Sequence, residues 1–461
     1  IILGNMPNKI LVINLVGLTA DVYSKMPKVS QALAGATTRQ VFLQPPLPAV
    51  TCTSQATLST GTQPRNHGVV SNGWYFRDSA EIRFWLRSDH LVQGEKLWET
   101  AKKIDPDLRV ANLFWRYCTH AACDVTVTER PTYWANGRKG PDIYTSPGHF
   151  RDELVERLGE FPLFRFWGPA TNISSTEWIA KATLHTLRCQ SPHIALTYLP
   201  HLDYDLQKHG PQSSEAVKAI AEVDEVASDL ILHARELGYQ IALLSEYGMT
   251  EVSRPVYLNR ILRESGYLSV QTAKNGELLE PGASRAFAAC SHQTAHVYVD
   301  APEDVRPVKE LLQSSEGVDR VFGPEDLASI GLDHPRTGQL FVLANSDSWF
   351  AYPYWLDESQ APDFARCVAI HDKPGHDPVE MFLGEGGKAK VMKRLLQTKL
   401  GLRTTMDVIS TDASLIRGSH GRLPESPDDS PILITDWNHD SGETMPMTEF
   451  KSLILDQVHQ G

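Results

Sequence analysis

Cysteine is scarce in this chain, with six in 461 residues, at positions 52, 118, 123, 189, 290 and 367. None stands in a Cys-x-x-Cys spacing. That excludes a dithiol redox motif or a zinc ribbon and points to reduced, structural thiols in the cytoplasm. Positive charge is also in short supply. Forty-four Lys and Arg face 56 Asp and Glu, a net charge of −12. The chain therefore lacks the basic surface by which nucleic acid or an anionic membrane is held. Long apolar runs are missing too: none reaches the ~20 residues needed to cross a bilayer. The first residues, Ile1 to Lys9, have no basic region leading into an apolar core. They read as free of a secretory signal, with Met6 near the native start.

What is present describes a globular protein, 41% hydrophobic and 22% charged. The length suits one large α/β domain with a smaller insertion. Lys9–Leu18 is a short β-branched run ending at Gly17, the pattern of a strand buried on both faces. Comparable runs follow at 110–115, 193–200 and 239–245, with helical patterns at 178–187 and 214–234 between the later ones. Strands alternating with helices predict a parallel sheet covered by helices. Residues 142–148 read as a loop; 201–211 follow the strand at 193–200, and the plain reading of Asp205 and His209 there is solvated loop. A strand from His296, a helix over 303–314 and strands at 318–322 and 339–344 suggest a second unit. The expected division is a core of residues 9–254 and 371–440, a small α/β insertion at 255–370, and a C-terminal tail at 441–461. The tryptophans between 74 and 167 are read as core.

One stretch stands apart: Pro48-Ala-Val-Thr51-Cys-Thr-Ser-Gln-Ala-Thr-Leu-Ser-Thr-Gly61, continued by Pro64-Arg-Asn-His67-Gly-Val-Val-Ser-Asn72. Prolines precede it, and small, helix-compatible residues lead to Gly61, a helix stop. Thr51 is placed where a loop becomes a helix N-terminus. Free N–H groups and a partial positive charge gather there, so anions bind. A hydroxyl at that point is either a nucleophile toward phosphorus or simply the helix N-cap.

The order of these residues resembles the type I phosphodiesterase/nucleotide pyrophosphatase family of the alkaline phosphatase superfamily. That family carries Pro-x-x-Thr, Leu-x-Thr-Gly, Pro-x-x-His-Gly-(Ile/Val) and a following Asn. Here these are Pro48, Thr51, Leu58, Thr60, Gly61, Pro64, His67, Gly68, Val69 and Asn72, with no gap. The resemblance implies an alkaline-phosphatase-like α/β fold, a Thr51 nucleophile, and Asn72 holding a phosphoryl oxygen. It also implies two metal ions, whose ligand positions are altered here. Val16 replaces the Asp of an Asp-Gly strand end, with Asn14 on the same strand face. Anchoring on Gly210-Pro211 puts the next Asp at Asp203 and its His at Gln207; the pair Asp205 and His209 remains the alternative. The Ser-Asp-His-Gly-Met motif reads Ser245-Glu246-Tyr247-Gly248-Met249, and the final His falls on His420.

The resemblance thus implies a hydrolase of a phosphodiester, pyrophosphate or phosphonate, acting on a small phosphorylated molecule. The cofactor implied is a divalent cation, zinc; the altered positions leave ligands for one ion, or none, rather than two, on Asp203, Glu246 and His420, with Gln207 marginal. His201, His292, His371, Asp372 and His376 are candidates for the surroundings of that centre or for substrate. The alternative is a catalytically degenerate member that binds a phosphorylated metabolite.

Overall fold

The first apolar run forms strand β1 (Lys9–Leu15), almost wholly buried. In this computed structural model, which describes residues 7–35, 37–135 and 138–460, it lies near the middle of a nine-stranded sheet. Residues 1–6, on which the expectation about Met6 falls, lie outside the described residues. The other core strands are β2 (Arg39–Gln44), β3 (Val110–Leu113), β4 (Val125–Glu129), β5 (Ile143–Ser146), β6 (Ile194–Leu199) and β7 (Tyr239–Leu244). A second sheet holds β8 (Ala286–Ser291), β9 (Thr294–Val299), β10 (Val318–Phe322) and β11 (Leu340–Ala344). The last two core strands are β12 (Ile432–Thr435) and β13 (Thr444–Pro446). The large sheet runs β13-β2-β12-β7-β1-β6-β3-β4-β5.

Its centre is parallel. β1 pairs in parallel with β6 and β7, so that Asn14 stands opposite Tyr198 on one side and Leu244 on the other. The three strands end at one level, where ligand sites of open α/β sheets lie. The helices Ser174–Gln190 and Ser214–Glu236 bury their apolar residues against this sheet. The second sheet is antiparallel, β8-β9-β11-β10, and carries its own core around Leu258, Val297, Leu312 and Trp355.

Three expectations need correction. Residues 142–148 are not all loop: β5 pairs antiparallel with β4 as a short edge strand. Its four residues, stopped by Pro147, are too few for a period to show. Residues 201–209 form a helix, not a loop. Six of those nine are charged, polar or imidazole-bearing, which hid the one apolar stripe. Residues 441–461, expected as a polar tail docked at the surface, instead enter the sheet and the core. β13 pairs in parallel with β2, and the helix Phe450–His459 sinks Phe450, Ile454 and Val458 into the main core.

All six cysteines are free. Among the described residues no helix is long and apolar enough to cross a membrane.

Phe450 is fully buried. Phe450→Ala should cost about 3–5 kcal/mol of folding stability, the usual penalty for a cavity of that size, measured by urea unfolding.

Candidate active site

Thr51 opens a ten-residue helix, Thr51–Thr60, which Gly61 ends at a φ of 68°. The N-cap is Val50, which has no side chain able to cap. Thr51 is therefore not the cap. Its hydroxyl faces across the site and lies 3.1 Å from the phenol oxygen of Tyr247. Asn72 sits beside it. The Cys52 amide donates to Asn72 Oδ1 (3.0 Å), which fixes the flip of the side chain and turns its Nδ2 toward Ser291 Oγ (3.2 Å). His67 braces the same helix. Val69 N–H donates to its Nδ1 (3.1 Å), so Nε2–H donates to Thr57 Oγ1 (3.0 Å).

Tyr247 and Glu246 come off the end of β7. The Tyr247 hydroxyl donates to Asp203 Oδ1 at 3.2 Å. Burial holds the phenol well above its usual pKa, so it stays protonated. Glu246 is fully buried, and its Oε1 accepts from Asn14 Nδ2 at 2.6 Å and from Gln55 Nε2. Burial pushes its carboxyl up to about 8, against the pull of those two amides. Burial also raises Asp203, to about 6.

Asp203, half-buried, and Gln207, fully buried, lie one turn apart on the helix His201–His209. Neither amide atom of Gln207 has a hydrogen-bond partner. The competing pair faces outward: Asp205 and His209 are 3.9 Å apart and about one-third exposed. His420 stacks flat on Tyr247, with ring centres 3.5 Å apart and planes at 6°. Its Nδ1–H donates to the Ala49 carbonyl at 2.9 Å, leaving Nε2 as a buried lone pair without a partner. Behind it, His292 and His376 continue the column at 3.7 Å and 4.0 Å.

These donors differ in their fitness for a cation. His420, with one nitrogen tied to a carbonyl and the other free, has the arrangement of a metal-binding imidazole. Asp203 and Gln207 lie one turn apart on one helix, and their oxygens together with the His420 nitrogen are donors of the kind a divalent ion takes. Val16 offers no lone pair, and the Tyr247 proton is committed to Asp203. What remains is a single unpartnered oxygen on each of Asn14 and Glu246. That is too little charge for a second ion. Asp203, Glu246 and His420, expected to share a cation, are not gathered. Among the described residues the group of three such side chains with ligand atoms within 4.8 Å is Glu153, His185 and Cys189, away from Thr51.

Other expected residues lie elsewhere. His201 pairs with Glu222 at 3.0 Å, and His371 and Asp372 are exposed on a loop. His292 and His376 are in the imidazole column described above. Gln55 was missed. It joins Glu246 to the Arg116 amide (2.6 Å), a link between distant segments that no spacing in the chain announces.

The profile of the type I phosphodiesterase / nucleotide pyrophosphatase family matches residues 10–377. The chain belongs to that family. Among its relatives, ectonucleotide pyrophosphatase/phosphodiesterase family member 1 of Rattus norvegicus is 25% identical over 242 residues, 50% of this chain and 22% of the relative. A pyrophosphatase/phosphodiesterase of Schizosaccharomyces pombe is 26% identical over 274 residues, 56% of this chain and 48% of the relative. The chain thus matches less than half the length of either. Phosphonoacetate hydrolase from Sinorhizobium meliloti 1021, solved with phosphonoformate, superposes with a TM-score of 0.61 at 14% identity, covering 98% of this chain and 96% of that one. Murine ectonucleotide pyrophosphatase/phosphodiesterase 5, solved with AMP, gives 0.60 at 13%, covering 98% and 95%. These likenesses establish the family's alkaline-phosphatase-like α/β fold.

Burial lowers His67 to about 3 and His296 to about 4, so both are neutral in the folded chain. Unfolded, they take up protons below about pH 6.5. The unfolded state then binds more protons, and stability falls as pH drops from 6.5 toward 3. His67→Gln should flatten that slope by up to ~1.4 kcal/mol per pH unit, read from urea midpoints between pH 4 and 8.

Proposed function

We propose that this protein hydrolyses a small phosphodiester, pyrophosphate or phosphonate through Thr51. The observation that carries the reading is the Thr51 hydroxyl in the first turn of a buried helix, beside an Asn72 pinned by the Cys52 amide. The helix N-terminus and the Asn72 amide N–H groups would hold the non-bridging oxygens as charge develops on them. Thr51 Oγ bonds to phosphorus as the bond from phosphorus to the leaving group breaks, the hydroxyl proton passing by way of solvent to the leaving group, and water later cleaves the new O–P bond and restores the threonine hydroxyl. The two ligands seen in related structures, AMP and phosphonoformate, are phosphoryl and phosphonyl compounds.

One cation would be held by Asp203, Gln207 and His420. Mixed oxygen and nitrogen donors suit zinc, which when bound there would polarise a phosphoryl oxygen. Glu246 serves instead as the acceptor of the Asn14 and Gln55 amides. The free thiols suit a reducing compartment, the cytoplasm.

A second reading, a phosphorylated-metabolite binder without turnover, is favoured by the burial of Thr51, only 4% exposed. A screen of nitrophenyl phosphate mono- and diesters separates the two. Hydrolysis supports the first reading; saturable phosphate binding without product supports the second.

Thr51→Ala should bring turnover to background while the unfolding midpoint stays near wild type. Near-normal rates in that variant remove Thr51 from the chemistry. Asp203→Asn should lower bound zinc, by elemental analysis, far more than Asp205→Asn; the reverse order selects the outward pair.

A further inference from the structure

We propose that Tyr247 stands in for a second metal ion: its phenol fills the space beside Thr51 and holds the nucleophile's hydroxyl in its attacking orientation. The inference rests on the reading of Thr51 as nucleophile. Where the resemblance implies two ions, this chain has Val16 and Tyr247 in place of Asp and His. The side chains present make a closed hydrogen-bonded unit there. Asn14 and Gln55 both donate to Glu246 Oε1. Tyr247 is wedged flat against His420 and only 1% exposed, so its ring has no room to swing away.

The hydrogens can be followed one by one. A phenol has a single hydrogen, and that of Tyr247 goes to Asp203 Oδ1 at 3.2 Å. In the 3.1 Å contact with Thr51 the phenol oxygen must then accept, and Thr51 must donate. The threonine hydroxyl is thereby turned so that its hydrogen lies on Tyr247 and its lone pairs face the opening between the helix N-terminus and Asn72. A cation at this place would orient the oxygen by coordination. The phenol orients it by accepting its hydrogen, without a second positive charge that Asn14 and Glu246 are unable to balance. Tyr247 is accordingly a positioning residue that acts through Thr51.

Two variants test this. Tyr247→Phe keeps the ring against His420 and removes only the hydroxyl. Loss of orientation should lower kcat by ~10- to 100-fold with KM within about twofold. Its metal content should equal that of wild type, one ion per chain or fewer. Val16→Asp with Tyr247→His restores a carboxylate and an imidazole, and should bind one ion more per chain than wild type by elemental analysis. An unchanged kcat in Tyr247→Phe overturns the proposal. So do two tightly bound ions in the wild type, or no added ion in a folded double variant. If the wild type proves to have no turnover, the orienting role is read from crystal structures instead. Thr51 Oγ should leave its wild-type rotamer in Tyr247→Phe, and its staying there counts against the proposal. The metal counts stand in either case, so failure here is distinguishable from failure of the hydrolase reading.

Discussion

Three parallel strands, held level by main-chain hydrogen bonds, set the positions of Asn14, Asp203, Glu246 and Tyr247 at the site. β6, β1 and β7 run side by side in register. Asn14 is carried on β1, Asp203 follows β6 through Pro200, and Glu246 and Tyr247 follow β7. A slip of one residue in any of these pairings would turn its side chain to the opposite face of the sheet. The sheet is buried on both sides, which makes such a slip costly. Precision at the site is thus a property of the core, and the small sheet contributes Ser291 and His292 by docking at the same edge.

The centre is also defined by what has been taken from water. Burial sets the protonation of Asp203, Glu246, Tyr247 and His420 alike. A neutral imidazole, a protonated phenol and a carboxyl raised to about 8 coexist without strong mutual repulsion. Arg116, paired with Glu129 at 2.9 Å and 5.4 Å over the Trp85 ring, is a permanent positive charge that pulls the Asp203 carboxyl down.

Much of this was legible in the chain because the signals were local. The segment Pro48 to Asn72 keeps its whole pattern within one loop, one helix and one turn, so the family resemblance that singles out Thr51 and Asn72 could be read from one continuous stretch. The sheet's parallel strands were readable for the same reason, as unbroken apolar runs between helices. Gln55 was not legible: in sequence it is one polar residue in a row of small ones, and its role exists only because β7 and the 114–117 turn close around it. His292 and His376 join His420 in one column although they come from three separated segments. The helix at 201–209 was obscured by its polar composition. The choice between the Asp203 and Asp205 registers depended on which face of that helix turned inward, and a loop reading has no faces.

The partners of β2 have a consequence for how the chain comes off the ribosome. This strand is made early, yet both of its neighbours in the sheet, β12 and β13, belong to residues 432–446. At ~5–20 residues per second, translation leaves β2 without a mate on either side for tens of seconds. Throughout that interval the nascent protein presents an open strand with Val41 and Leu43 exposed, a template for pairing with a neighbouring polypeptide. The β1, β6 and β7 region can assemble while synthesis continues, but the β2 side is sealed only when the distal segment arrives.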